Sequence, residues 1–217
     1  MLHIAEREQI VEFGRKLIEE HLTNGTSGNL SIYDPQTEHM IISPSGIPYT
    51  ETKVEDVVVM EVSTAKVVEG TRKPSSEWAL HMGFYLYRPE ARAVLHTHSL
   101  YSSTFACLRQ PLRALHYGIA SAGVDTVPVA EYATFGTSAL SVNALKAIGT
   151  SKAVLLANHG LIAYETSMPK VFSLVKEVEY IAELQYHALS VGKPVILESE
   201  EMARVIEKFK TYGQQTE

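Results

Sequence analysis

The stretch Ala93-Val94-Leu95-His96-Thr97-His98-Ser99 limits what this chain can become more than any other, because it is a short apolar run ending in two histidines one residue apart. Its length, its apolar character and the Arg88-Pro89 stop before it predict a buried strand over 93–97. Alternate side chains of a strand share a face, so His96 and His98 present two imidazoles side by side where strand gives way to loop. One strand can supply half of a zinc site in this way, with Zn–N distances of about 2.0–2.1 Å setting the tolerance. The pair also reads as two independent histidines, one hydrogen-bonded in the core and one solvated. A metal needs further ligands, so the rest of the chain has to supply a third and a fourth.

Length and charge bound the search. At 217 residues the chain suits one domain, residues 1–217, large enough to bury a proper core. With 45% apolar and 20% charged residues it falls among ordinary globular proteins rather than disordered ones. A formal net charge of −6 argues against general affinity for nucleic acid or anionic membranes, while leaving room for a small anionic substrate at a local site. Cys107 is the single cysteine, which excludes an intrachain disulfide and a thiolate metal cluster. The opening residues, Met1 to Glu8, turn charged at once and lack a signal peptide's apolar segment. No apolar run approaches the roughly 20 residues of a membrane helix. A cytoplasmic enzyme or binding protein is expected.

Taken in order, the chain alternates helices with strands that include hairpins. An amphipathic helix is predicted from His3 to Leu22, with Ile10, Phe13, Leu17, Ile18 and Leu22 on one face and Asn24-Gly25 as its stop. The polar run Thr26 to Ser31 leads into a strand through Tyr33, then a turn at Asp34-Pro35 and a second strand, 40–43. Residues 57–62 and 66–69 read as a further hairpin. Ser75-Ser76-Glu77-Trp78 opens a helix to Tyr87, where the serines either cap the helix or, with its N–H groups, hold a phosphate. A helix over 100–108, a strand near Leu115-His116-Tyr117, another at Val127-Pro128-Val129 and a helix over 138–148 follow. Ala153 to Ala157 and Leu161 to Tyr164 read as strands flanking Asn158-His159-Gly160. Ser167 starts a long helix that Gly192 ends, and a last helix covers 199–210. The pattern predicts a mixed α/β fold with helices layered on the sheet.

Among the nine histidines, His3, His21 and His39 are expected to be solvated, and His81 and His187 to be ordinary helix residues. His159 differs, because it ends an apolar strand just before a glycine, as His96 and His98 end theirs. His96, His98 and His159 with Glu77 make a set of three imidazoles and one carboxylate, which suits zinc.

From Gly25 through Tyr212 the chain resembles the class II aldolases of the L-fuculose-1-phosphate aldolase type. The resemblance is carried by Gly25-Thr26-Ser27-Gly28-Asn29, Ser45-Gly46-Ile47-Pro48-Tyr49, Pro74-Ser75-Ser76-Glu77-Trp78 and His96-Thr97-His98. It continues through His116-Tyr117, Tyr132-Ala133-Thr134-Phe135-Gly136-Thr137, His159-Gly160-Leu161-Ile162-Ala163 and the segment Glu207 to Gly213. Ser27 and Ser45 stand where alanine and threonine are familiar in that family.

The resemblance implies a three-layer α/β fold with a mixed, largely antiparallel central sheet between helices. It implies one Zn2+ per subunit on His96, His98 and His159, with Glu77 as fourth ligand at rest and as acid/base during turnover. Thr26, Gly28, Asn29, Ser45, Gly46, Ser75 and Ser76 would hold a substrate phosphate. Tyr117 would be the acid at the aldehyde half, reaching a neighbouring subunit's site, and Phe135 and Tyr212 would line the aldehyde end. The expected reaction is cleavage of L-fuculose 1-phosphate to dihydroxyacetone phosphate and L-lactaldehyde by a homotetramer with sites between adjacent subunits. Rival readings are a pentulose-5-phosphate 4-epimerase of the same superfamily, for which Asp125 is the only carboxylate in the right region, and a non-catalytic aldolase-like interaction domain.

Overall fold

The computed structural model describes residues 1–209 and 211. Its centre is an eight-stranded sheet built from β1 (Asn29–Asp34), β2 (His39–Ile42), β3 (Val58–Glu61), β4 (Lys66–Glu69), β5 (Ala93–Thr97), β8 (Val129–Ala130), β9 (Ala153–Leu156) and β10 (Gly160–Glu165). The spatial order is β4-β3-β2-β1-β5-β10-β9-β8. Every pairing is antiparallel except the last, β8 with β9, which is parallel. A separate ribbon pairs β6 (Leu112–Arg113) with β7 (Thr126–Val127).

Strand alternation separates two cores. Leu30, Ile41, Val59, Leu95, Leu155 and Leu161 face one side, where α1 (Ile4–Glu19), α3 (Leu100–Leu108), α5 (Met168–Val191) and α6 (Ser199–Phe209) cover them. Ile42, Val58, Val94, Val154, Leu156 and Ile162 face the other, under α2 (Trp78–Tyr87) and α4 (Ser138–Ile148). The result is a mixed α/β fold in three layers, with the largely antiparallel sheet in the middle. Among the described residues no helix is long and apolar enough to cross a membrane.

Several elements depart from the sequence expectation. Helix α1 ends at Glu19 rather than Leu22: His21 takes the left-handed conformation (φ 56°), and Leu22 reaches the core from beyond the helix. The expected strand at Leu115-His116-Tyr117 is absent. Pairing falls earlier, at Leu112–Arg113, because His116 Nδ1 accepts the Gly118 N–H and starts a 3-10 turn over Tyr117–Ala122. Pro128, with no N–H to give, splits the next strand into β7 and β8, which belong to different sheets. His3 and His39 are not solvated; their rings meet at 3.0 Å in a partly buried contact, whereas His21 is exposed as expected.

β5 lies between β1 and β10, so it is buried along its whole length. Leu95 points into the α1/α3/α5 core, which sends His96 and His98 to the α2 side. Asn29 of β1 and Ile162 of β10 are abreast of His96. The start of α2, the end of β5 and the β9–β10 turn therefore converge at one end of the sheet.

Candidate metal centre and its cavity

Glu77, His96, His98 and His159 each offer one ligand atom, and those atoms lie within 4.8 Å of one another. The three ring centroids are 4.7–4.9 Å apart and the rings stand edge to face. The four side chains arrive by three routes. His96 and His98 share a face of β5. Glu77 ends the loop into α2. His159 sits in the tight β9–β10 turn, set by Asn158 in the left-handed region (φ 55°), which Asn tolerates better than most residues. Arg109 Nε donates to Asn158 Oδ1 at 3.0 Å and steadies that turn.

Donor and acceptor logic fixes the ring of His96. The Leu161 carbonyl, 2.8 Å from Nδ1, can only accept, so Nδ1 carries the hydrogen and Nε2 presents its lone pair to the cluster. His98 Nε2 lies 2.9 Å from His96 Nε2. Two lone pairs so close repel unless a cation or a proton lies between them. Burial lowers the pKa of all three histidines; for His96 and His98 the neighbouring imidazoles act in the same direction. Neutral imidazoles are the metal-binding form.

A tetrahedral ion with bonds of about 2.0–2.1 Å requires ligand atoms about 3.3 Å apart. Glu77 Oε2 is 3.3 Å from His96 Nε2, and Oε1 is 3.5 Å from His159 Nε2. Oε1 is moreover a buried oxygen with no hydrogen-bond partner, an arrangement that is costly in a metal-free protein. The residues present fit a divalent ion, and two of the four ligands are buried.

The cluster opens into a cavity of about 360 Å³ lined by Thr26 to Asn29, Pro44 to Gly46, Ser75 to Glu77, His98, Tyr132, Ala133, Phe135, Asn158 and His159. No lysine or arginine is among these lining residues. An isolated bridge between Pro44 and Pro74, with Ser45 N–H on the Lys73 carbonyl and Ser75 N–H on the Ser43 carbonyl, draws the two serine loops together. Gly28 has to be glycine: its φ is +74°, and a Cβ there would sit 2.7 Å from the His96 carbonyl oxygen. Tyr49 donates its hydroxyl to the Gly28 carbonyl and holds that loop in place.

Ser75 and Ser76 precede α2, and neither is its N-cap residue. The residue preceding α2 is Glu77, no side chain caps the helix, and Ser75 Oγ accepts only the Glu77 N–H, at 3.3 Å. Ser76 is exposed at the cavity wall. All seven residues expected at a phosphate, and Phe135, line this one cavity. Tyr117 does not. It is 54% exposed and lies against His116 and Phe209 at a separate, larger depression. Tyr212 lies outside the described residues. Asp125 accepts from Ser199 and does not line the cavity.

The family model described as class II aldolase and adducin N-terminal domain matches residues 8–186. The chain belongs to this class II aldolase family. A 5-deoxy-D-ribulose 1-phosphate aldolase of Bacillus thuringiensis serovar kurstaki is 45% identical over 215 residues, which are 99% of this chain and 100% of that protein. An L-fuculose phosphate aldolase of Escherichia coli O6:H1 is 43% identical over 206 residues, 94% of each chain. A solved structure of L-fuculose 1-phosphate aldolase superposes with a TM-score of 0.92 at 47% identity, covering 95% of this chain and 96% of that one. This class II aldolase is thus an enzyme of the lyase kind and of the fuculose-phosphate type, with the fold its motifs imply.

Sequence reasoning missed one residue of this class II aldolase beside the cluster. His81, taken for an ordinary helix residue, is fully buried and hydrogen-bonded to Asn29 and Ser31. Burial pushes its pKa down to about 3. The available signal was a double spacing: Glu77, His81 and Tyr85 recur every four residues along α2, while Asn29 and Ser31 alternate on β1.

Proposed function

We propose that this aldolase cleaves a ketose 1-phosphate between C3 and C4, releasing dihydroxyacetone phosphate and a short aldehyde, with one zinc ion per subunit on His96, His98, His159 and Glu77. The observation that carries the reading is the partnerless, buried Oε1 of Glu77, set among three imidazoles at the floor of a cavity walled by small polar loops. When bound, the ion supplies Lewis-acid stabilisation for the negative charge that cleavage leaves on the ketone half.

The chain's own groups do the rest. Thr26, Gly28, Ser45, Gly46, Ser75 and Ser76 offer hydroxyl and backbone N–H donors to the phosphate, beside the N-terminus of α2. Asn29 already donates from Nδ2 to Glu77 and keeps one Nδ2 hydrogen for a ligand. As the C3–C4 bond breaks, the C4 hydroxyl loses its proton and becomes the aldehyde, and the electron pair stays on C3. Glu77, a carboxylate at rest, takes up one proton and delivers it to C3, so the proton gained at carbon matches the one that leaves the C4 oxygen. Tyr117 exchanges the proton of the C4 oxygen, and Phe135 and Tyr212 line the aldehyde end.

Tyr117 lies away from its own chain's cavity, so this role requires that it serve a neighbouring subunit. A cytoplasmic homotetramer with sites between adjacent subunits meets that requirement. The exposure of Tyr117, Tyr132 and Phe135, each more than half accessible in the single chain, supports such an interface. Tyr117→Phe lowers kcat about 10²-fold or more with little change in KM, as loss of a proton-transfer group does. Mixed oligomers of Tyr117→Phe with Glu77→Gln subunits regain part of the activity, because some of their sites hold both wild-type groups. Wild-type turnover by Tyr117→Phe, or no complementation in mixtures, counts against the shared site.

L-fuculose 1-phosphate, which yields L-lactaldehyde, is the first proposed substrate, on the likeness to the fuculose-phosphate enzymes. The 45% identical relative named for 5-deoxy-D-ribulose 1-phosphate favours a second reading, with acetaldehyde as product. The two substrates share the phosphate-bearing half and differ by one CHOH at the aldehyde end, so Tyr132, Ala133 and Phe135 face the difference. Release of dihydroxyacetone phosphate, coupled to its reduction and read as kcat/KM for each ketose, decides between them. Epimerisation at C4 without that release returns the chain to the epimerase reading.

A further inference from the structure

We propose that His81 is a positioning residue for the aldol step: a buried line of hydrogen bonds, Tyr85 to Ser31 to His81 to Asn29, ends on Oε2 of Glu77 and holds that carboxylate with Oε1 left without a partner beside His159. The inference rests on the reading of Glu77 as the group that moves the proton.

The direction of the whole line follows from its last member. The Glu77 carboxylate only accepts, so the 2.9 Å contact is a donation from Asn29 Nδ2 to Oε2. That choice turns the Asn29 carbonyl, Oδ1, toward His81 Nε2 at 2.5 Å. A carbonyl oxygen cannot donate, so Nε2 carries the hydrogen and Nδ1 of the neutral ring is left as an acceptor. Ser31 Oγ, 2.7 Å from Nδ1, gives its one hydrogen there. Its lone pairs then receive the hydroxyl of Tyr85 at 2.6 Å. No alternative set of directions satisfies all four contacts while Glu77 is a carboxylate and the His81 ring is neutral.

The line is shielded from bulk water except where Asn29 and Glu77 meet the cavity. Ser31 and His81 are fully buried, and Asn29, Glu77 and Tyr85 are nearly so. A buried polar line between a strand and a helix is costly unless every member is satisfied. Here each member up to Oε2 has a partner, and the one atom of the line with no partner at all is Oε1. A half-turn of the Asn29 amide would set Oδ1 against Oε2 and Nδ2 against the Nε2 hydrogen, two repulsive contacts at once. His81 therefore blocks that turn. With His81 lost, one of the two barriers to that turn is gone and Oδ1 has no partner, so the amide shifts, its hold on Oε2 slackens, and the carboxylate can rotate away from its working orientation. Misplacement of an acid/base group by a fraction of an ångström lowers kcat by about 10–100-fold while leaving substrate binding largely alone.

Two variants and one measurement on the unaltered protein test this. His81→Gln keeps an N–H at the place of Nε2, whereas His81→Leu fills the space with no donor. Each is assayed as zinc-loaded, full-length protein for kcat, KM, bound metal and melting temperature. The expected result is that His81→Leu loses about 10–100-fold in kcat with KM and zinc content retained, and that His81→Gln recovers most of the loss. His81→Leu that is folded, loaded and as fast as wild type overturns the proposal. So does a loss that simply follows metal content or melting temperature across both variants, which marks a structural role only.

Should His81→Leu fail to fold, neutron diffraction from deuterated wild-type crystals carries the test. Deuterium on His81 Nε2, with the Asn29 ND2 group on Glu77, supports the line, and deuterium on Nδ1 alone overturns it. Failure of the underlying reading looks different. Glu77→Gln at the wild-type rate removes Glu77 from proton transfer, whatever His81 does.

Discussion

His96→Ala yields a folded protein that binds no zinc and cleaves no ketose phosphate. His96 is fully buried in the most central strand of the site, abreast of Asn29 and Ile162, and its Nδ1 is tied to the Leu161 carbonyl. Alanine removes the ligand and also the nitrogen that His98 and Glu77 face at 2.9 Å and 3.3 Å. Losing the hydrogen-bond partner behind a metal-bound histidine already weakens metal affinity about 10–100-fold, and losing the histidine itself costs more. Metal analysis after dialysis, with dihydroxyacetone phosphate release as the activity readout, checks both halves. Retained zinc with full activity sinks the assignment of the centre.

Glu77→Gln keeps shape and loses charge. Asn29 Nδ2 still requires an acceptor, so the new amide turns its oxygen to the place of Oε2 and its NH2 to the place of Oε1, beside His159. A donor then occupies the position where a free, proton-accepting oxygen stood. The expected loss in kcat is about 10²–10⁴-fold, the usual range for removing a positioned acid/base, while an inert ketose phosphate analogue still binds. Single-turnover cleavage and analogue titration separate the two effects, and an unchanged cleavage rate removes Glu77 from the chemistry.

What the sequence disclosed followed local pattern. β5 is a short apolar run with nothing to compete for it, and its predicted bounds, 93–97, are those observed. Helices α3 and α4 are likewise found at their predicted bounds. The three histidines were found because each ends an apolar strand. The misses were matters of long-range packing. Nothing local showed that the two serine loops share one cavity wall, because the bridge that draws them together joins Pro44 to Pro74 across thirty residues of sequence. His81 was hidden in an apolar helix, and its partners lie on β1, some fifty residues away. Tyr117 fell in a segment whose apolar alternation suits a strand, until the His116 side chain claims the Gly118 N–H and tightens the chain into a 3-10 turn.

The four metal-facing side chains come from positions 77, 96, 98 and 159, and two of the three joins between them are made by pairing β5 with β10 and by docking α2 on the sheet. A denatured chain consequently offers no more than the isolated 96/98 pair, and tight capture of the ion waits until strands more than sixty residues apart have found each other. Contacts of such separation form late and slowly. An ion that favours only the finished state adds its binding free energy to stability by mass action. A cation held by these four residues would then also be a clasp on the completed sheet, and chelation would loosen the architecture as well as silence it.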